Sequence, residues 1–112
     1  MNKTKSVKQS FDLTGKVAVI TGGAGLLGKK HAEAIAEFGG IPILLDIDKK
    51  TGNEKAQRIS KEYKVECVFK LCDITDELQI SSVRDSLLSK FGHIDILINN
   101  AAIDPKIKRI PK

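Results

Sequence analysis

The sequence is poor in aromatic residues, in cysteine and in long hydrophobic runs, and each of these absences excludes a class of protein. Aromatic residues make up 4% of the 112 residues and none is Trp, so a core has to be mostly aliphatic. No apolar run approaches the roughly 18 residues of a membrane-spanning helix. The first ten residues carry three lysines with no apolar run behind them, unlike a secretory signal. We therefore expect one cytoplasmic domain with no membrane partner.

The scarcity of cysteine argues against disulfides and metal sites. Cys67 and Cys72 are five residues apart, and around one strand an odd separation points two side chains to opposite faces. A disulfide between them is not expected, and two thiols without a nearby histidine make a poor metal site. We predict no metal and interpret both cysteines as small buried side chains in a reducing compartment.

Positive charge is in excess only at the two ends of the chain. The net charge is +5, but residues 1–9 and residues 104–112 each carry +3, which leaves −1 for residues 10–103. Nucleic-acid recognition favours a basic surface with interleaved aromatic side chains. The body of the chain has neither a basic excess nor interleaved aromatic residues, so we expect no nucleic-acid partner.

Between these ends, strand-like and helix-like segments alternate. Short apolar runs predict strands at residues 16–21, 41–45, 65–71 and 94–98, and the segments between them have helical spacing. The order β-α-β-α-β-α-β gives parallel strands with right-handed crossovers. We predict an α/β fold, a partial doubly wound (Rossmann) parallel sheet with the strand order 3-2-1-4.

The helices carry three further predictions. Residues 49–52 are interpreted as a turn that precedes the second helix, and Thr75 as the N-cap of the third. The positions predicted to form the buried face of the first helix are Leu27, His31, Ala34, Ile35 and Phe38.

Residues 21–28, Thr-Gly-Gly-Ala-Gly-Leu-Leu-Gly, join the first strand to the first helix. Unpartnered backbone amides at a helix N-terminus match a pyrophosphate. Gly22 would allow a sharp turn, Gly25 would let the backbone approach the phosphates, and Gly28 would let the helix lie close to the sheet. The alternative is that these glycines serve only the packing of a tight turn.

Asp46 ends the second strand, 24 residues after Gly22. A carboxylate at this position can accept hydrogen bonds from both hydroxyls of the adenosine ribose. It would also repel a 2′-phosphate by an energy on the order of a few kcal/mol at an effective dielectric constant near 20. NAD is therefore predicted over NADP, although Lys49 and Lys50 nearby leave NADP open. Alternatively, Asp46 merely ends the strand.

Polar side chains also follow the third and fourth strands. Asp73 could accept the adenine amino group while the Ile74 backbone donates to the ring; alternatively, Asp73 serves only the dipole of the following helix. Asn99 and Asn100 lie at the carboxyl edge of the predicted sheet, where ligands bind in such folds. They could tie neighbouring loops together or contact a ribose.

Three segments together resemble the short-chain dehydrogenase/reductase family: residues 13–22 (LTGKVAVITG), 72–76 (CDITD) and 95–101 (DILINNA). The resemblance covers nearly all of residues 11–103. It implies NAD or NADP binding and hydride transfer to or from a small alcohol or carbonyl substrate, with a homo-oligomer expected at full length. The cofactor-binding residues that it implies are Gly22, Gly25, Leu26, Leu27 and Gly28 at the pyrophosphate, Asp46 with Ile47 at the ribose, Asp73 and Ile74 at the adenine, and Asn99 and Ala101 on the nicotinamide side.

Two departures from the family pattern matter. Leu26 occupies a position where the compact branch carries Gly. The resulting spacing of Gly22, Gly25 and Gly28 is similar to that of the nucleotide-sugar epimerases and dehydratases, whereas the Asn-Asn-Ala segment favours the compact alcohol/ketone branch. The family's catalytic Tyr-x-x-x-Lys pair is also missing, because Tyr63 is followed four residues later by Cys67.

We therefore expect no catalytic residue in this chain. Its predicted parts are a mobile leader (residues 1–10), the N-terminal part of a dinucleotide-binding domain (11–103), and a loop before the catalytic half (104–112). A piece of this kind is not expected to turn over substrate alone. The alternatives are a non-catalytic nucleotide-binding module and a fragment of a nucleotide-sugar epimerase or dehydratase.

Overall fold

The computed structural model describes residues 11–100, and strands and helices alternate along them as predicted. The elements are β1 (Val17–Thr21), α1 (Leu26–Glu37), β2 (Ile41–Asp46), α2 (Lys49–Tyr63), β3 (Val68–Leu71), α3 (Glu77–Phe91) and β4 (Ile96–Asn99). The strands form one parallel sheet in the order β3-β2-β1-β4, which confirms the predicted fold class and strand order. The predicted leader, the loop at residues 104–112 and Ala101 lie outside the described residues.

The core is divided by the sheet into two aliphatic layers. Every residue of β1 is buried, because the strand has a neighbour on each side and helices above and below. Successive side chains of a strand point to opposite faces. Val17, Val19, Ile43, Leu45 and Leu87 pack on the α3 face, and Ile20, Ala32, Ala36, Leu44, Ala56 and Ile59 pack on the face that α1 and α2 cover.

The strand register brings the candidate site together at one edge of the sheet. Thr21, the last residue of β1, is paired with Leu45 of β2 on one side and with Asn99 of β4 on the other. Because the strands are parallel, everything that follows them in the chain emerges at this same carboxyl edge.

The buried face of α1 differs from the predicted one. Leu27 is 60% exposed and Ala34 is exposed as well. Ile35 is buried as predicted, whereas His31 and Phe38 are only half-buried, and the other buried residues of the helix are the small ones Gly28, Ala32 and Ala36. Small side chains let α1 approach the sheet closely, and a search for large apolar residues at helical spacing overlooks such a face.

The predicted turn at residues 49–52 is wrong, since α2 already begins at Lys49. The side chain of Asp48 accepts a hydrogen bond from the Thr51 amide at 3.1 Å and so caps the helix. Gly52 lies inside α2, and only glycine fits there because a Cβ would collide with the ring of Phe69 on β3. This glycine permits close helix–sheet packing and does not interrupt the helix.

The ends of β3, α3 and β4 also move from their predicted positions. Asp76, not Thr75, caps α3. β3 begins three residues later than predicted because Ser60 Oγ bonds both backbone groups of Cys67, at 3.0 and 3.3 Å. β4 begins at Ile96, preceded by Asp95, whose backbone and side chain both bond Val17.

None of the helices within residues 11–100 combines the length and the apolar composition needed to cross a lipid bilayer.

Candidate functional site

The glycine loop (residues 22–25) folds over the end of β2. Gly22 has φ +68°, the left-handed conformation predicted from its role in a sharp turn. The Gly25 amide donates to the Gly22 carbonyl at 3.1 Å and closes the turn, while the Gly23 amide donates to the Leu45 carbonyl at 3.0 Å. The loop is thus a continuation of the β1–β2 pairing and not a free segment.

The glycines of residues 22–28 meet different constraints. A Cβ on Gly28 would collide with the Gly22 carbonyl oxygen, and a Cβ on Gly23 would lie 2.7 Å from Leu44 Cβ. Both are therefore required by packing, and Gly23 is a structural position that the sequence analysis missed. Gly25 has an ordinary φ of −78°, and a Cβ there would meet only the Gly22 oxygen at 3.3 Å. Packing therefore constrains Gly25 less strictly than Gly23 and Gly28.

The N-terminus of α1 has no side chain that caps it. Gly25 is the N-cap, no side chain bonds the first-turn amides there, and the first turn carries no acidic residue. Leu26 and Leu27, which open the helix, are 74% and 60% exposed. Amides without an intrahelical acceptor at the positive end of a helix dipole favour the binding of an anion.

Asp46 is fixed beside the glycine loop by three backbone amides. Its Oδ2 accepts from the Ala24 amide at 3.0 Å, and its Oδ1 accepts from the amides of Ile47 at 2.7 Å and Asp48 at 3.1 Å. A carboxylate has about four acceptor positions, so Oδ2 retains capacity for a hydroxyl donor. Asp46 therefore does more than end β2, because it joins the strand to the loop. Ile47 beside it is 70% exposed.

Asp73 organises the turn between β3 and α3. Its Oδ1 accepts from the hydroxyl of Thr75 at 2.7 Å and from the Thr75 amide at 2.9 Å, and these bonds lower the pKa of the Asp73 carboxyl. Asp73 is therefore held as the ionised acceptor, with Ile74 in the same turn. The side-chain cap of α3 is Asp76 and not Asp73.

Thr21 connects the ends of β1 and β4. Its hydroxyl donates to Asn99 Oδ1 at 3.0 Å and accepts from the Asn100 amide at 2.8 Å. Of the two roles considered for these asparagines, the contacts fit the tying of neighbouring segments. Thr21 itself was not predicted as a site residue; the signal was a polar residue ending an otherwise apolar strand.

Tyr63, His93 and Asp95 do not join this edge, and the two cysteines are not activated. Tyr63 ends α2, and Asp95 precedes β4, which places both at the opposite edge of the sheet. His93 Nδ1 lies 2.6 Å from Asp95 Oδ2. Cys67 and Cys72 are free, and burial raises the pKa of both thiols, that of Cys67 to about 12, so neither has the character of a nucleophile. Within residues 11–100, no group of three or more His, Cys, Asp or Glu side chains could hold a metal ion.

One edge of the sheet carries the glycine loop, the fixed Asp46 and the Thr21–Asn99 contact. Comparison with known proteins agrees with this arrangement. A family model described as short chain dehydrogenase matches residues 16–111. The chain belongs to the short-chain dehydrogenase family. This match supports the alcohol/ketone interpretation over the nucleotide-sugar epimerase alternative.

The curated relatives of this chain are much longer than the chain itself. It is 33% identical over 99 residues to the (+)-cis,cis-nepetalactol synthase of Nepeta racemosa, an alignment that covers 88% of this chain and 36% of that protein. The chain thus spans about a third of the length of this curated relative.

Solved structures of the family share the fold. An NAD⁺-bound xylitol dehydrogenase superposes with a TM-score of 0.77 at 34% identity, over 81% of this chain and 35% of that one. The NADPH-dependent 3-quinuclidinone reductase of Rhodotorula rubra superposes with a TM-score of 0.79 at 29% identity, over 95% and 42%. Similar folds in the family thus serve NAD and NADP, and the family assignment does not choose between them.

Proposed function

We propose that this chain is the N-terminal, cofactor-binding part of an oxidoreductase that transfers hydride between NAD(H) and a small alcohol or carbonyl substrate. The observation that carries the proposal is an uncapped helix N-terminus, left open by Gly25, directly beside the fixed carboxylate of Asp46. These are the two features that a dinucleotide requires: a site for its phosphates and an acceptor for its ribose.

The pyrophosphate would bind where the glycine loop enters α1. The amides of Leu26, Leu27 and Gly28 belong to the first turn of α1, where helical amides have no intrahelical acceptor. Two phosphate charges at the positive end of the dipole gain most when no side chain occupies the same space. Gly25, the N-cap, contributes no side chain there.

The adenosine half would bind along the carboxyl edge towards β3. Asp46 keeps an acceptor position on Oδ2 for a ribose hydroxyl, and Ile47 flanks it. Asp73, held ionised by Thr75, would accept the adenine amino group while Ile74 contacts the ring. Towards β4, Asn99 and Ala101 would meet the nicotinamide-side ribose.

The preference for NAD follows from the charge of Asp46. A 2′-phosphate would approach a carboxylate whose oxygens already face three backbone amides, so the carboxylate cannot turn away without breaking those bonds. Like charges at such range oppose binding by a few kcal/mol at an effective dielectric constant near 20.

The contribution of this part of the enzyme is binding, not proton transfer. The nicotinamide, when bound, supplies the hydride chemistry. Of the residues described, Tyr63 lies at the wrong edge of the sheet and the two thiols are held protonated by burial. The general acid or base for the substrate oxygen is therefore not assigned to residues 11–100.

We also propose the cytoplasm as the location, in keeping with two free cysteines, and a homo-oligomer for the full-length enzyme.

Calorimetric titration of one sample with NAD and with NADP tests the proposal. NAD is expected to bind at least about tenfold more tightly than NADP, because only NADP meets the repulsion of Asp46. In Asp46→Ser, the ratio of the two affinities should fall towards one.

The matched control is Asp85→Ser, which removes an exposed carboxylate from α3 on the other face of the sheet. It should leave the ratio unchanged. Tighter binding of NADP than NAD to the unmodified chain would refute the role given to Asp46, and binding of neither would refute the proposed function.

A further inference from the structure

Lys55 makes a contact with the glycine loop that the proposed function does not use. It lies on α2, and its Nζ donates to the Ala24 carbonyl oxygen at 2.6 Å across 31 positions of sequence. A lysine on a surface helix usually extends its ammonium into water. Here the side chain is partly buried and directed to a backbone oxygen, a short hydrogen bond strengthened by the charge of the donor.

The contact of Lys55 completes the fixation of the loop backbone. The Ala24 carbonyl and the Gly25 amide belong to one planar peptide unit. Lys55 holds the carbonyl end of this unit, and the Gly22 carbonyl accepts from its amide end at 3.1 Å. The preceding peptide is held as well, since the Ala24 amide donates to Asp46. The backbone that leads into the first turn of α1 is therefore held by side chains from two other elements.

We propose that Lys55 is a positioning residue that fixes the 24–25 peptide and thereby the direction in which the first-turn amides of α1 face a bound pyrophosphate. The cofactor side of this inference rests on the proposed function. Without Lys55, the peptide can rotate, and an amide that must be reoriented before it donates to a phosphate binds it less tightly.

A competing role for Lys55 would be direct recognition of a 2′-phosphate by its ammonium. The two roles make different predictions. NAD and NADP share the pyrophosphate, so loss of a positioning residue weakens both by the same factor. Loss of a 2′-phosphate contact would weaken NADP alone.

The test compares Lys55→Met with the unmodified chain in two measurements. Calorimetry with NAD and with NADP should show about tenfold weaker binding of both, as expected for loss of one charge-assisted hydrogen bond. Amide hydrogen exchange by NMR, without cofactor, should show about tenfold faster exchange at Ala24 and Gly25 and unchanged exchange in β1.

Two variants serve as controls for Lys55→Met. Lys55→Arg keeps a charged donor and should recover part of the affinity and of the protection. Lys61→Met removes an exposed lysine from the last turn of the same helix and should change neither. Circular dichroism establishes that each variant is folded.

The outcomes separate this inference from the proposed function. Unchanged exchange at Ala24 and Gly25 in Lys55→Met, or a loss of affinity confined to NADP, would overturn the positioning role. If the unmodified chain bound neither cofactor, the proposed function would fail, and the exchange rates would still decide whether Lys55 holds the loop.

Discussion

The three helices within residues 11–100 begin in two different ways. Asp48 caps α2, and Asp76 caps α3 by accepting from the amides of Leu78 and Gln79 at 2.9 and 3.3 Å. Gly25, at the same position of α1, has no side chain to offer. First-turn amides need an acceptor. A side chain supplies one at α2 and α3, whereas α1, which begins at the carboxyl edge between β1 and β2, has none. In the proposed function, the phosphates of the cofactor take that place.

The largest expected effect comes from making α1 like its neighbours. Gly25→Asp places a capping carboxylate on the amides that we assign to the pyrophosphate. NAD affinity should fall by about a hundredfold or more, because an anion already occupies the site and repels the phosphates. Stability should rise by a few tenths of a kcal/mol, the usual difference between Asp and Gly at an N-cap.

Calorimetry and thermal unfolding measure the two effects of Gly25→Asp separately. Gly25→Ala, which adds a Cβ without charge, is the matched control and should lose far less affinity. If Gly25→Asp bound NAD as tightly as the unmodified chain, the start of α1 would not be the phosphate site.

An intermediate effect should distinguish the glycines of packing from the glycine of the site. In Gly28→Ala, the new Cβ meets the Gly22 carbonyl, a backbone atom that cannot move aside without displacing the loop. We expect a loss of about 1–3 kcal/mol in the free energy of unfolding, typical of overpacking. Gly25→Ala should change it by less than about 0.5 kcal/mol. Denaturant unfolding compares the two variants, and equal losses would contradict the distinction.

The smallest effect should come from removing a cap whose helix amides are not assigned to the phosphates. Asp76→Ala deprives the first turn of α3 of its acceptor, and the free energy of unfolding should fall by about 1 kcal/mol. Affinity for NAD should fall far less than in Gly25→Asp, because the first-turn amides of α3 are not assigned to the phosphates and Asp76 touches the proposed adenine turn only through its bonds to Asp73 and Gln79. A marked loss of NAD affinity in this variant would show that the helix ends are not independent.

The same contrast shows how far the sequence could be interpreted. The alternation of segments, the strand order and the turn at Gly22 follow from local patterns, and the structure confirms them. The cap of α3 could not be chosen in this way, because Thr75 and Asp76 are both good capping residues in adjacent positions. The Thr75 hydroxyl donates to Asp73, which leaves the amides of α3 to Asp76.

Errors arose where a residue's partner is distant in sequence. Gly52 is typical of a turn, but it packs against the ring of Phe69, which leaves no room for a Cβ. Leu27 resembles a core residue until the small side chains of α1 are found against the sheet. Hydrophobic periodicity measures the size and polarity of side chains, but close packing of a helix depends on where side chains are missing.

The sequence by itself determined the order of the elements and the place of the glycine loop, because periodicity, glycine and capping residues act through near neighbours in the chain. The tertiary structure decided how that loop is held. The bonds of Ala24 to Asp46 and Lys55 join residues 22 and 31 positions apart. They exist only because parallel pairing places the end of β1 beside the end of β2, and because α2 packs on the same face of the sheet as α1.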